Sequence, residues 1–282
     1  MKRVMEYLAE RFPLQVTVIH ALSTAWLLVG IAATGFPSFS RVGSSLLIAA
    51  AFLFFMLRMR ITDEFKDRRH DNHNYPNRPV QRGLISTRAL ISMGFTALTL
   101  ELIFAYSAGF ISGQPLSIGW HLAILGFSVL THFEFFAKAY LEAHFNLYFL
   151  IHQLIFLLYP VWVFSIWSTP VNPHTLAGAI SFVGYMTAME IVRKYEIRLD
   201  PKGNPVPDTY LAVWGRGAFW IMFTLSLLGG AGLYYSTDSP LTLIVSGITA
   251  IALLVKKSDD KLVRAIVAIG FITQSIGVMV WN

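Results

Sequence analysis

Nine apolar runs, each about as long as a bilayer-spanning helix, divide the chain at 14–35, 42–60, 88–111, 117–137, 146–167, 174–193, 214–235, 240–256 and 261–281. Between them polar residues alternate in length. One set of connections is short: FPSFS (36–40), ISGQPLS (111–117), STPVNPH (168–174) and STDSP (236–240). The other set includes two long, Pro-containing polar segments, 61–87 and 194–213, which follow the second and sixth runs. Runs two and six point the same way across a membrane, so both long segments belong on one face. The pattern predicts an all-α integral membrane protein. Nine transmembrane helices would surround a central cavity, as one membrane domain over 1–282, capped by the two polar segments.

Charge sets the orientation. With the N-terminus inside, every Lys and Arg except Arg41 falls on the cytoplasmic half. Such an asymmetry is the positive-inside pattern, and it predicts the N-terminus and the polar caps on the cytoplasmic side. It also accounts for the net charge of +6 without nucleic acid. Charged residues make up 13% of the chain, about half the share of a soluble domain. There is no cysteine, which excludes disulfides and zinc–thiolate sites. The amphipathic start MKRVMEYLAERFP lacks the apolar core of a cleaved signal peptide and reads as an interfacial lead-in to the first span.

Candidate chemistry concentrates in Asp63–Asp71 (DEFKDRRHD). Asp63, Asp67 and Asp71 recur every four residues and so stack on one helical face, roughly 6 Å apart. Like charges at that spacing repel, and acids at a helix C-terminus oppose its dipole. A row of hard oxygen ligands, with Glu64 in a lesser role, suits Mg²⁺, which commonly bridges carboxylates to phosphate oxygens. Arg78 and Arg82 follow and suit a planar grip on phosphate. The end of the sixth run and the segment behind it carry Glu190, Arg193, Lys194 and Arg198. Glu190 is placed to complete a metal site, and Arg193 and Lys194 to neutralise a diphosphate. Lys138, at the end of the fourth run, is a further candidate for that diphosphate.

Ionisable residues inside the runs are costly and ordinarily face a cavity or a partner. Glu101, Glu134 and His152 are of this kind, and the polar Gln153 lies beside His152. Glu134 and His152 sit at similar depth on consecutive runs and are placed to meet. The segment Asp208–Thr209–Tyr210 reads either as a lid over the site, with Tyr210 at the cavity, or as a capped re-entry turn.

The DExxDxxxD run after the second helix, with NRPVQRGLIS behind it, resembles the first signature of the UbiA-type intramembrane prenyltransferase superfamily, usually NDxxDxxxD and then an RP-containing stretch. The nine-run layout and the second polar segment extend the resemblance over essentially the whole chain. Two departures stand out. Asp63 and Glu64 occupy the places of Asn and Asp, and the second acidic motif, commonly DxxxD or DxxD, is replaced by Glu190 with Arg193 and Lys194. The resemblance therefore implies a divergent member. It implies Mg²⁺-dependent use of a prenyl diphosphate, with the allylic cation passed to a lipophilic acceptor. Intramembrane terpene cyclisation without an acceptor is the alternative. A cation transporter built on Glu101 and Glu134 is a third reading; the charge density at the mouth, rather than at the midplane, counts against it.

Overall fold

The computed structural model describes residues 2–33 and 39–281, with the side chains of 39 and 40 outside the description. Most of the connection expected at 36–40 therefore lies outside the described residues. The chain is helical nearly throughout. An N-terminal helix α1 (Lys2–Arg11) leads into α2 (Leu14–Ala32) and α3 (Phe39–Lys66), followed by α4 (Arg68–Asn74) and α5 (Thr87–Ile111). Next come α6 (Ile118–His132), the short α7 (Lys138–Ala143), then α8 (Phe145–Gln153) and α9 (Ile155–Trp167), which share one apolar run, and α10 (Pro173–Arg193). A two-stranded antiparallel ribbon, β1 (Arg198–Leu199) with β2 (Pro205–Val206), and α11 (Tyr210–Trp214) precede α12 (Gly217–Thr237), α13 (Pro240–Lys256) and α14 (Asp260–Trp281).

Among the described residues, seven helical segments are long and apolar enough to cross a membrane, which makes this an integral membrane protein. The nine expected spans are thus not all of equal standing. The fourth, α6, has 15 residues and the eighth, α13, has 17. The fourth run ends early for a backbone reason. Glu134, Phe135 and Phe136 have φ of 49°, 52° and 58°, left-handed conformations that cannot continue a right-handed helix and cost about 1–2 kcal/mol each. In the seventh run, Gly215 at φ 54° separates α11 from α12.

The expected polar loops are largely ordered. The second helix continues well past residue 60 to Lys66, and α4 carries it to Asn74. The first cap is therefore a helix extension followed by turns, because Asp63–Asp71 contains no Gly or Pro to stop it. The second cap holds the β ribbon, turned at Gly203 (φ 83°), and α11, whose N-cap Thr209 accepts from the Ala212 N–H. The capped re-entry reading of that segment is the one observed.

The main core joins α2, α3, α9, α10 and α14 through residues such as Ala25, Leu28, Phe52, Tyr159, Trp162, Phe182 and Phe271. Close approach depends on small residues, as in membrane helix packing generally. A Cβ on Gly30 of α2 would sit 2.7 Å from Val278 Cγ1 of α14. Large apolar side chains face outward in turn: Phe95, Leu116, Ile251 and Val280 are all well exposed, as lipid-facing residues are. Helix α1 is more than an interfacial lead-in. Tyr7 is fully buried with Ile61, Ile85 and Leu90, and this packing seats α1 against the first polar cap.

Candidate active site at the polar mouth

The carboxylate ladder forms as its spacing requires. The Asp67 N–H donates to the Asp63 carbonyl (2.9 Å), Asp71 to Asp67 (2.9 Å) and Tyr75 to Asp71 (2.8 Å). One helical line therefore carries Asp63, Asp67 and Asp71 across the junction of α3 and α4. Glu64, one residue on and 100° round the helix, faces elsewhere. It is buried, 2.7 Å from Arg11 Nε and 3.2 Å from Arg60 Nη2. Its expected lesser role in metal binding is thus met by two fixed cations instead.

The three aspartates have different surroundings. Asp71 is buried, 2.6 Å from Arg78 and 4.0 Å from Arg11. Burial pushes its pKa up, but hydrogen bonds from His70 and Arg78 outweigh this and hold the carboxyl below the usual carboxylate range. Asp67 remains accessible at the α3–α4 junction. The protein packed round it, and then the charge of Asp63, push its pKa up to about 6. A carboxylate held so weakly in its charged form has an unmet demand for positive charge.

Across the mouth, α10 ends in Glu190, Arg193 and Lys194. Arg193 donates Nε and Nη2 to the two oxygens of Glu190, each at 2.8 Å. The Tyr210 hydroxyl adds a third bond to Glu190 at 3.0 Å, and Lys194 Nζ stands 5.7 Å over the Tyr210 ring. Burial and the Arg193 charge hold the Lys194 ammonium below the usual lysine range. Asp63 lies within electrostatic range of both Arg193 and Lys194, and Asp67 within range of Lys194. Arg193 keeps 49% of its side chain accessible although charged groups act on it from several sides.

The two caps are tied directly. Tyr75 of the first donates its hydroxyl to Asp208 of the second at 2.7 Å, and Asp208 also stands 3.8 Å from Arg198. Arg78 lies 3.8 Å over the Tyr75 ring, so the pairing of Asp71 with Arg78 extends into the bridge. Segments 133 residues apart thus converge.

Other expected residues lie differently. Arg82 bonds Glu10 of α1 at 2.9 and 2.5 Å and the Asn77 carbonyl at 2.7 Å, an exposed contact between the first cap and the N-terminal helix. Lys138 is well exposed and stands 3.6 Å from Glu142, one turn on. Glu134 does not pair with His152; its ion pair is with Lys66 at 3.1 Å. His152 turns Nδ1 to the Tyr148 carbonyl at 2.7 Å. Glu101 is fully buried in a three-helix network. Arg58 donates to it at 2.7 and 3.1 Å, and His121 Nε2 lies 3.1 Å away. Among the described residues, no three acidic or histidine side chains are gathered closely enough to hold a metal ion by themselves. The joint Asp63–Asp67–Asp71–Glu190 ligand set therefore does not form from the protein alone, because Arg78 claims Asp71 and Arg193 claims Glu190.

The sequence reading missed Lys66, Tyr75 and Arg11, and it named Asp208 without its partner. Lys66 was visible inside the acidic run, three residues after Asp63. The Tyr75–Asp208 bridge leaves no local trace.

Structural comparison places this arrangement in a known frame. A UbiA homologue from Aeropyrum pernix K1, solved without ligand, aligns over 93% of this chain and 94% of its own, with TM-score 0.57 and 15% identity. The chain has a UbiA-type fold. A second UbiA homologue, from Archaeoglobus fulgidus and bound to DMAPP and Mg²⁺, aligns over 97% of this chain and 98% of its own, with TM-score 0.52 and 17% identity. No protein-family model matches the sequence, and no curated protein matches it either. With the UbiA-type frame shared and the sequence far diverged, the side chains at the mouth have to carry the functional argument.

Proposed function

We propose that the protein transfers a prenyl group from a prenyl diphosphate to a lipophilic acceptor within the membrane, in a Mg²⁺-dependent reaction. The observation that carries this reading is the pairing of opposites at the mouth. An accessible carboxylate pair, Asp63 and Asp67, faces the Arg193–Lys194 cations from another segment, and Tyr75–Asp208 locks the two caps together. The fold similarity to a homologue bound to DMAPP and Mg²⁺ supports it.

The residues fit the metal. Mg²⁺ is typically held by one or two carboxylates, with the remaining positions filled by water and substrate phosphates. Asp63 and Asp67 supply two hard ligands, and the raised pKa of Asp67 marks a site that a cation relieves. When bound, the metal supplies charge neutralisation at the diphosphate oxygens. Arg193 and Lys194 do the same from fixed positions. Tyr210 and Arg193 hold Glu190, which keeps the guanidinium aimed. Cleavage of the allylic C–O bond sends the electron pair out with the diphosphate; the acceptor then bonds to the carbon and loses a proton. Phe52, Phe55, Tyr159 and Phe271 in the core give an aromatic interior suited to a cation.

Two further parts of the reading rest on charge. The mouth faces the cytoplasm, as the distribution of Lys and Arg requires. Since the chain has no cysteine, single-cysteine labelling at residues 77 and 202 from either side tests this directly. Cation transport through Glu101 finds no support, because that carboxylate is neutralised by Arg58 and bonded to His121.

The deciding experiment incubates purified protein with Mg²⁺ and prenyl diphosphates of graded length, with and without a lipid extract, and follows diphosphate release and products by mass spectrometry. Prenylated lipid formed only with the extract is the expected result. A cyclic product formed without it would replace transfer by cyclisation. Absence of Mg²⁺-dependent diphosphate release under all conditions would overturn the enzymatic reading.

A further inference from the structure

One cationic side chain at the mouth has its geometry set by groups that the proposed reaction leaves unused. Lys66, on the last turn of α3, places Nζ 3.1 Å from Glu134 Oε1 and donates to the Tyr148 hydroxyl at 3.1 Å, with the ammonium 5.4 Å over the Tyr148 ring. Its side chain is 12% exposed and that of Glu134 6%. Glu134 reaches this position only through the left-handed turn at 134–136, and its second oxygen, Oε2, is buried without a hydrogen-bond partner. The site keeps a buried carboxylate, an unusual backbone and a phenol to hold one ammonium in place. A lysine needed only to anchor a helix end at the interface would extend toward solvent and headgroups instead; Lys138, by contrast with Lys66, is well exposed.

An ammonium has three N–H donors. Glu134 and Tyr148 take two of them, and the third is open. Lys66 lies between Asp63 and Asp67 in the ladder and acts electrostatically on Asp67 and on His152. His152 is in turn within range of Lys194. The ammonium therefore stands beside the carboxylate pair, with Lys194 close by.

Resting on the proposed function, we infer that Lys66 is the lysine that binds a diphosphate oxygen, and that Glu134 and Tyr148 are positioning residues that hold its ammonium ready at the mouth. Lys138 is outside this site. The binding is a charge-assisted hydrogen bond from the third donor, with no covalent step. Glu134 retains its own bond to Lys66 throughout, so the buried carboxylate is never left without a cation.

The test is calorimetric binding of inorganic diphosphate, in the presence of Mg²⁺, to the full-length protein in detergent, with thermal unfolding as a check on each variant. Lys66→Met weakens diphosphate binding about tenfold or more, the size of one lost charge-assisted hydrogen bond. Lys66→Arg restores part of it, and Lys138→Met leaves it unchanged. Glu134→Gln and Tyr148→Phe each weaken it by a smaller factor, and combining either with Lys66→Met adds little further loss, since both act through that ammonium. A merely structural role for Glu134 would lower thermal stability while leaving diphosphate affinity alone. Wild-type binding that Lys66→Met leaves unaltered in a folded protein overturns this assignment and spares the functional reading. Mg²⁺-dependent binding absent from the wild type itself overturns both.

Discussion

The buried Glu101 network gives the sharpest test of how these ionisable spans are built. Glu101 on α5 is fully buried. Arg58 of α3 reaches it through Nε at 2.7 Å and Nη2 at 3.1 Å, while Nη1 bonds Ser128 of α6 at 2.9 Å; His121 of α6 completes the group at 3.1 Å. The Glu101→Leu change strips the guanidinium of its counter-ion and leaves it the Ser128 hydroxyl, a weak contact to Met59 Sδ and the Phe55 ring. An uncompensated buried charge of this kind costs about 3–5 kcal/mol. The double change Arg58→Met with Glu101→Leu removes both charges at similar volume and recovers most of that loss, because the desolvation of both ions disappears with their attraction. Reversible unfolding in detergent, followed by tryptophan fluorescence, measures both. Trp162 packs its ring 4.4 Å from that of His121 and so reports on the network. A single variant within about 1 kcal/mol of wild type, or a double variant no better than the single, would refute this account and reopen Glu101 as a functional carboxylate.

The remaining predictions concern the mouth. Asp67→Asn reduces diphosphate release on the order of a hundredfold, yet thermal stability without Mg²⁺ holds or rises, since the like-charge contact with Asp63 is relieved. With the Asp67 pKa raised to about 6, Mg²⁺ binding in the presence of diphosphate strengthens as pH rises through 6 and displaces a proton below it. Calorimetry in buffers of different ionisation enthalpy reads that proton. The same raised pKa means that the metal-free fold gains stability from Asp67 as pH falls through 6 toward the unfolded value, the opposite sign to a salt-bridged aspartate. Finally, Arg11→Ala, which takes one of two cations from the buried Glu64, costs about 2 kcal/mol in detergent unfolding, whereas breaking the exposed Glu10–Arg82 pair leaves the unfolding curve in place.

What the sequence made legible, and what it hid, divides by distance along the chain. The aspartate ladder was readable because the helix repeat alone fixes which side chains align, and the hydrogen bonds running from Asp63 to Tyr75 carry that repeat through the helix junction. Hydropathy found the spans for the same reason: burial in lipid demands a run of about 20 residues whatever the tertiary partners. It falls short at the eighth run, α13, which has 17 residues, and at the fourth, where the backbone conformations of Glu134–Phe136 intervene. Apolar composition does not report φ, and nothing about Phe-Glu-Phe-Phe announces three left-handed residues. Arginine roles were least legible. Arg78 and Arg82 sit four apart in one motif, yet one closes on Asp71 and the other on Glu10, because α1 folds back over the first cap, a choice no local pattern encodes.

Those arginine pairings bear on how the site works. Of the acids singled out by spacing, Glu64, Asp71 and Glu190 each hold an arginine within 3 Å, as the distances 2.7, 2.6 and 2.8 Å to Arg11, Arg78 and Arg193 record. Asp63 and Asp67 have no such partner among the ion pairs of the described residues, and Asp67 is the one whose carboxyl is pushed toward protonation. The division is functional in its logic. Glu64–Arg11 ties the first cap to α1, Asp71–Arg78 and Glu190–Arg193 each stiffen their own segment, and Tyr75–Asp208 joins the caps; the proposed diphosphate site needs that rigidity if its cations are not to reorganise as the C–O bond breaks. On the proposed function, the unpaired acids keep the local field negative, which would draw a divalent cation to the Asp63–Asp67 edge of the mouth. Arg193 and Lys194 make the opposite edge positive. A diphosphate entering between those edges, as proposed, would meet fixed charge on one side and the metal-binding carboxylates on the other. Under the proposed function, Arg193 and Lys194 in place of a second acidic motif strengthen that polarity: one wall would bind anions directly, and the other would bind them through magnesium.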